Sequence, residues 1–170
     1  LSDILLRLAR QVDQYSVDQH KCTVLGWASL AYQQERRQAM KLNEKEINAM
    51  QCKSQEIRYS YSLKRIADND CLWVLATKEG NCISFHDKGL NMLPLWPFQE
   101  YAENYVSASD NEDGCTAVGF SLEKFADELV DSLCENGMSI CVFPVSEDDR
   151  GKIVGVNTFA EDLAVELENY

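Results

Sequence analysis

Residues 71–97 read CLWVLATKEGNCISFHDKGLNMLPLWP, three apolar or aromatic runs separated by two turn signals. The first run, residues 71–77, has the β-branched and aromatic composition of a strand. Glu79-Gly80 marks a hairpin turn within residues 78–81, and residues 82–85 return from it. Asp87-Lys88-Gly89 marks a second turn, and residues 90–95 form a third run. The spacing predicts a meander of three antiparallel strands. Pro97 then stands where a first helical residue tolerates a missing N–H, so a helix is expected over 97–106.

The segments on either side extend this pattern. Upstream, Asn43 followed by Glu46 reads as an N-cap with a capping-box acid for a helix over 44–52. A further helix over 54–67 is broken by Asn69-Asp70. Downstream, residues 107–114 are a polar loop and 116–120 a short strand. Ser121 caps a helix over 121–135, which Gly137 ends. Residues 138–145 are a strand with Pro144 at its end or edge, 146–152 a hairpin loop, and 153–156 the returning strand. Thr158 and Glu161 suggest a capping box for a last helix over 159–168. The fold class is α+β: an antiparallel sheet, the three-strand meander plus further strands, with helices packed on it. Residues 40–170 read as a single domain. Residues 1–39, with helical spacing over 3–15 and 23–37, read as an N-terminal helical extension.

Hydrophobic residues make up 45% of the 170, an ordinary share, but the net charge is −12 and unevenly placed. Residues 100–170 hold 3 basic and 17 acidic side chains. Such a half repels nucleic-acid phosphate and anionic membrane, and it attracts basic proteins. The bland account is that the acids keep a cytosolic protein soluble. Seven cysteines with no C-x-x-C pair read as small buried hydrophobes of a reducing, cytoplasmic compartment. The longest near-apolar run, residues 22–32, has 11 residues, short of the ~20 that cross a bilayer. That run and the apolar helix over 3–12 could pair between subunits as a homodimer or pack within one chain.

Within residues 121–135 the apolar positions follow helical spacing, and Glu123, Asp127, Asp131 and Glu135 fall on the opposite side. Like charges at i, i+4 cost an isolated helix roughly 0.2–0.5 kcal/mol per pair, so this ladder is either solubility charge or a contact face. Trp96, Tyr101 and Tyr105 are candidates for a ligand groove, with Glu100 and Glu103 the local polar groups. The competing account puts Trp96, like Trp73, in the core. The search for reaction chemistry is mostly negative. His20-x-Cys22 lacks the ligands of a zinc site. His86 and Asp87 would point to opposite faces of a strand, so His86 reads as a turn histidine. Residues 110–113 (DNED) and 147–149 (EDD) lack the spacing of a calcium loop and read as solvated loop acids, with weak cation binding the alternative. Ser121 and Cys141 have no base nearby in sequence. No cofactor or metal motif occurs.

Residues 40–68 (MKLNEKEINAMQCKSQEIRYSYSLKRIAD), 72–80 (LWVLATKEG), 93–105 (LPLWPFQEYAENY), 121–144 and the closing helix occur in order. Their most telling stretches are LPLW followed by EYA, and SLEKF with the later Gly and V-x-P. They resemble the bacterial domain of unknown function 2750 family over about residues 40–170. That family carries no assigned activity, so the resemblance transfers no catalytic residues, and residues 1–39 fall outside it. The expected function is a non-catalytic interaction or regulatory domain with an acidic face, such as an immunity or antitoxin protein facing a basic enzyme. The alternative is a sensory module that takes a small molecule near Trp96, and an enzyme is the least favoured reading.

Overall fold

Asn43 sets the first helix. Its side-chain oxygen accepts the Glu46 N–H at 2.8 Å, which satisfies one of the open donors at the start of α1 (Glu44–Gln51). Glu46 does not complete the expected capping box, because its carboxylate accepts the Tyr61 hydroxyl at 3.0 Å instead. The computed structural model describes residues 42–109 and 114–169, and the N-terminal extension with its two expected helices lies outside the described residues. Helix α2 (Gln55–Asn69) ends at Asp70, whose φ of 49° takes the chain through the left-handed region that Asp tolerates.

The quoted stretch supplies β1 (Cys71–Ala76), β2 (Phe85–Asp87) and β3 (Leu90–Trp96). Lys88 and Gly89 both have positive φ, the signature of a two-residue turn whose twist suits a hairpin, and β2 pairs β3 through it. The pairing is not a simple meander. Strand β1 pairs β3 only at Trp73↔Trp96 and Val74↔Leu95, and β2 takes the rest of that flank. Residues 82–84 fold back on β1 through one bridge, Ala76↔Cys82, so His86 sits within a strand and not in a turn.

Helix α3 (Gln99–Ala108) follows, then β4 (Thr116–Ser121), which pairs β1 antiparallel along its full length. Ser121 accepts the Lys124 N–H at 3.2 Å and opens helix α4. That helix runs as Leu122–Phe125, a wider π turn Ala126–Val130, and Asp131–Glu135. It closes with paired bonds from Gly137 N–H to Cys134 O and from Met138 N–H to Leu133 O, the Schellman arrangement. Strands β5 (Ser139–Val142) and β6 (Lys152–Gly155) pair antiparallel.

The sheet order is β4-β1-β3-β5-β6 with β2 beside β3. The α+β class is as expected. The sheet is mixed rather than wholly antiparallel, because β3 and β5 run parallel. Three elements separate those two strands (α3, β4 and α4), and their reversals leave β5 pointing the same way as β3. The last helix, α5 (Val156–Leu167), starts earlier than Thr158, so the expected capping box does not form; burial of Val156 draws the first turn inward. The core gathers Ile66, Leu72, Val74, Leu95, Ile140 and Phe143.

Candidate functional site

The acid ladder does not behave as one surface. Glu123, Asp127 and Glu135 are exposed, but Asp131 is half-buried, and its Oδ1 is enclosed without a hydrogen-bond partner among the described residues. The π turn interrupts the regular i, i+4 rungs between Glu123 and Asp131. Burial raises the Cys134 thiol's pKa, and Asp131 adds to the rise. Other acids of this half are engaged by the chain itself. Glu128 lies 3.7 Å from Lys124, and Asp162 accepts the Tyr59 hydroxyl at 2.6 Å.

The expected aromatic groove divides. Trp96 is fully buried and donates its Nε1–H to Pro144 O at 2.9 Å, so it fastens the end of β3 to the chain after β5. Tyr101 is 1% exposed, packs on Phe143 at 4.4 Å between ring centroids, and shares a 3.3 Å bond with Tyr61. Both are core residues. Tyr105 is 7% exposed and stacks on Trp96 and Phe85, each at 5.4 Å, but it also borders an open cleft.

That cleft, about 310 Å³, lies where α3, β2 and the β5–β6 loop meet. Leu75, Ile83, Phe85 and Val106 give it an apolar floor. Its polar groups are Ser84, His86, Ser109 and Cys115, with Glu147 and Arg150 from the loop. His86 Nδ1 lies 2.6 Å from Asn91 Oδ1, its cross-strand partner, and Asp87 plays no part. Because Asn91 contributes a carbonyl oxygen, Nδ1 carries the proton and Nε2 is left as an acceptor. Arg150 donates Nε–H to Glu147 O at 3.1 Å, and its two terminal nitrogens have no partner among the described residues. Burial raises the Tyr105 hydroxyl's pKa; Glu147 adds to the rise and Arg150 opposes it, so the phenol sits within the field of both.

A buried arginine holds the loop that carries Glu147 and Arg150. Arg58, 1% exposed, donates to Phe143 O at 3.2 Å, to Lys53 O at 2.7 Å and to Asp149 Oδ1 at 2.6 Å. Gln55 reaches the same carboxylate oxygen at 3.3 Å, and Asp149 N–H donates to Ser146 Oγ at 3.1 Å. Asp149 is therefore not the solvated loop acid expected of the EDD cluster. The Arg58 hydrogen bond holds its carboxyl below the usual range. Phe143 takes a positive φ of 54° to present its carbonyl there. The Cys141 thiol, pushed up to about 12 by burial, donates to Arg150 O and anchors the far end of the loop.

Of the expected site residues, the cleft gathers only Tyr105, together with the discounted His86. The sequence marks Glu147 only as a solvated loop acid, and it does not single out Arg150 at all. The one available signal was that Arg150 is among just three cations in residues 100–170. Among the described residues no group of three or more His, Cys, Asp or Glu side chains could hold a metal ion, and no helix is long and apolar enough to cross a membrane.

A mixed six-stranded sheet with a charged, aromatic-floored cleft beside it defines the class of this α+β protein. Residues 59–163 match the family described as "Protein of unknown function (DUF2750)", and the chain belongs to that family. The matched span contains Trp96, His86, Tyr105, Glu147, Asp149 and Arg150, and begins one residue after Arg58. No curated protein matches the sequence.

Proposed function

We propose that the chain is a non-catalytic binding module that takes a small molecule in the cleft between Tyr105, His86 and Arg150. One observation carries the reading. Tyr105 is buried but for 7% of its surface, yet its hydroxyl has no hydrogen-bond partner among the described residues and belongs to the cleft wall. Unlike Thr77 Oγ1 and Asp131 Oδ1, which are enclosed, the hydroxyl is open to an outside partner, beside a guanidinium whose terminal nitrogens have no partner among the described residues. Trp96 packs on the Tyr105 ring from the core.

A thermal-shift screen of the full chain against a broad small-molecule library tests this. A ligand at a hundred times its Kd adds about 2.7 kcal/mol of stability. Shifts should vanish in Arg150→Met and shrink in Tyr105→Phe, which keeps the ring contacts. Hits that survive both substitutions, or a library with no hits, would overturn the reading.

A second reading keeps the acidic helix as a contact face for a basic protein. The exposure of Glu123, Asp127 and Glu135 favours it. Pull-down with Glu123→Lys/Asp127→Lys tests it, and unchanged recovery of a partner sinks that face.

A further inference from the structure

Two opposite charges line the cleft without meeting. Arg150 and Glu147 are three residues apart in one loop, but the only bond between them runs from the guanidinium to a backbone oxygen. Neither side chain makes an ion pair among the described residues, although both border the same cleft. The loop's geometry keeps them apart. Arg150 Nε is spent on Glu147 O, and Asp149, between them, is turned the other way onto buried Arg58. The Tyr105 hydroxyl lies within the field of both groups, and His86 Nε2 adds an acceptor. Beneath them lie Leu75, Phe85 and Val106.

Resting on the small-molecule reading above, we infer that the ligand is a zwitterion of free α-amino-acid type with an apolar side chain: its carboxylate meets Arg150 and Tyr105, its ammonium meets Glu147 and His86, and its side chain lies on Phe85 and Val106. The charge pattern selects this class over simpler ones. A plain anion would bring its charge beside Glu147, in a chain whose net charge is already −12. A plain cation would face Arg150. A molecule carrying both charges matches both, and a planar carboxylate matches the two terminal NH2 groups of the guanidinium. A cleft of about 310 Å³ suits a molecule of that size and lies at the small end of ligand sites.

Isothermal titration of the full chain with L-phenylalanine, L-leucine and L-methionine tests the class. 3-Phenylpropionate (no ammonium) and phenethylamine (no carboxylate) are the controls. At least one amino acid should bind, and each control should bind roughly 10- to 100-fold more weakly than L-phenylalanine or the tightest of the three. Arg150→Met should weaken the amino acid by a similar factor and, by removing a like charge, leave phenethylamine bound no more weakly, or more tightly. Glu147→Gln should weaken the amino acid and, by removing a like charge, leave 3-phenylpropionate bound no more weakly, or more tightly. Glu147 is exposed and Arg150 half-buried, and neither belongs to the hydrophobic core; a retained urea midpoint checks the fold. If 3-phenylpropionate or phenethylamine binds as tightly as the amino acids, or if no amino acid binds, the zwitterion assignment falls. The small-molecule reading then stands or falls separately, on whether library hits depend on Arg150 and Tyr105.

Discussion

Arg58 carries more structure than any other charged side chain described. Its guanidinium satisfies two backbone carbonyls and one carboxylate from three separate segments. Arg58→Met would leave Phe143 O and Lys53 O without their donor. Asp149 is partly exposed, so most of the loss comes from those carbonyls and not from the ion pair. The expected cost is about 3 kcal/mol, read as a lower urea midpoint. Arg58→Lys should recover little of it, because an ammonium cannot span three acceptors in a planar fork. Asp149 gives this contact a pH signature. Its folded-state pKa lies below the ordinary value of 3.8, so its contribution is complete above that pH and is lost as the pH falls through the folded value. The stability gap between wild type and Asp149→Asn should close below about pH 4, in urea melts taken across that range. A third outcome belongs to the cysteines. Cys141, buried and pushed up to about 12, stays a thiol at pH 8, whereas Cys52 is exposed. Brief iodoacetamide treatment of the native protein should label the Cys52 peptide and spare the Cys141 peptide, as mapped by mass spectrometry.

At the level of elements, the β5–β6 connection decides whether there is a cleft at all. Gly151 has a φ of 76°, and a Cβ built there would overlap the carbonyl oxygens of Val142 and Phe143. Gly151→Ala should therefore destabilise by about 2 kcal/mol or more, through left-handed strain and displacement of the loop together. It should also weaken binding in the cleft, since Arg150 is its neighbour, and calorimetric Tm with ligand titration checks both. Local signals placed several elements well. The Asn43 and Ser121 caps and the Gly137 terminus all involve residues within a few positions of one another, and chain-local chemistry is legible in a string of letters. Thr158 misled for the same reason. A capping pattern competes with burial, and Val156 at 6% exposure won.

Across the whole molecule the opposing demands are charge and closure. Seventeen acids in residues 100–170 repel one another, and the ion pairs Lys124–Glu128 and Arg58–Asp149 relieve only part of that. Screening should help: Tm should rise from about 20 mM to about 500 mM NaCl, as the Debye length shrinks from about 20 Å to about 4 Å. A Tm that fell with salt would mean that the exposed ion pairs outweigh the repulsion.

The order of strands and helices, the α+β class, the Asn43 and Ser121 caps and the family resemblance could all be read along the chain, because each depends on hydrophobic period or on groups a few residues apart. The parallel pairing of β3 with β5, the grip of Arg58 on Asp149 91 residues away, and the meeting of His86, Tyr105 and Arg150 could not. They depend on which way the chain returns after two helices and a strand. Nothing in the local free energy of those residues encodes that direction; it follows from burying one shared core.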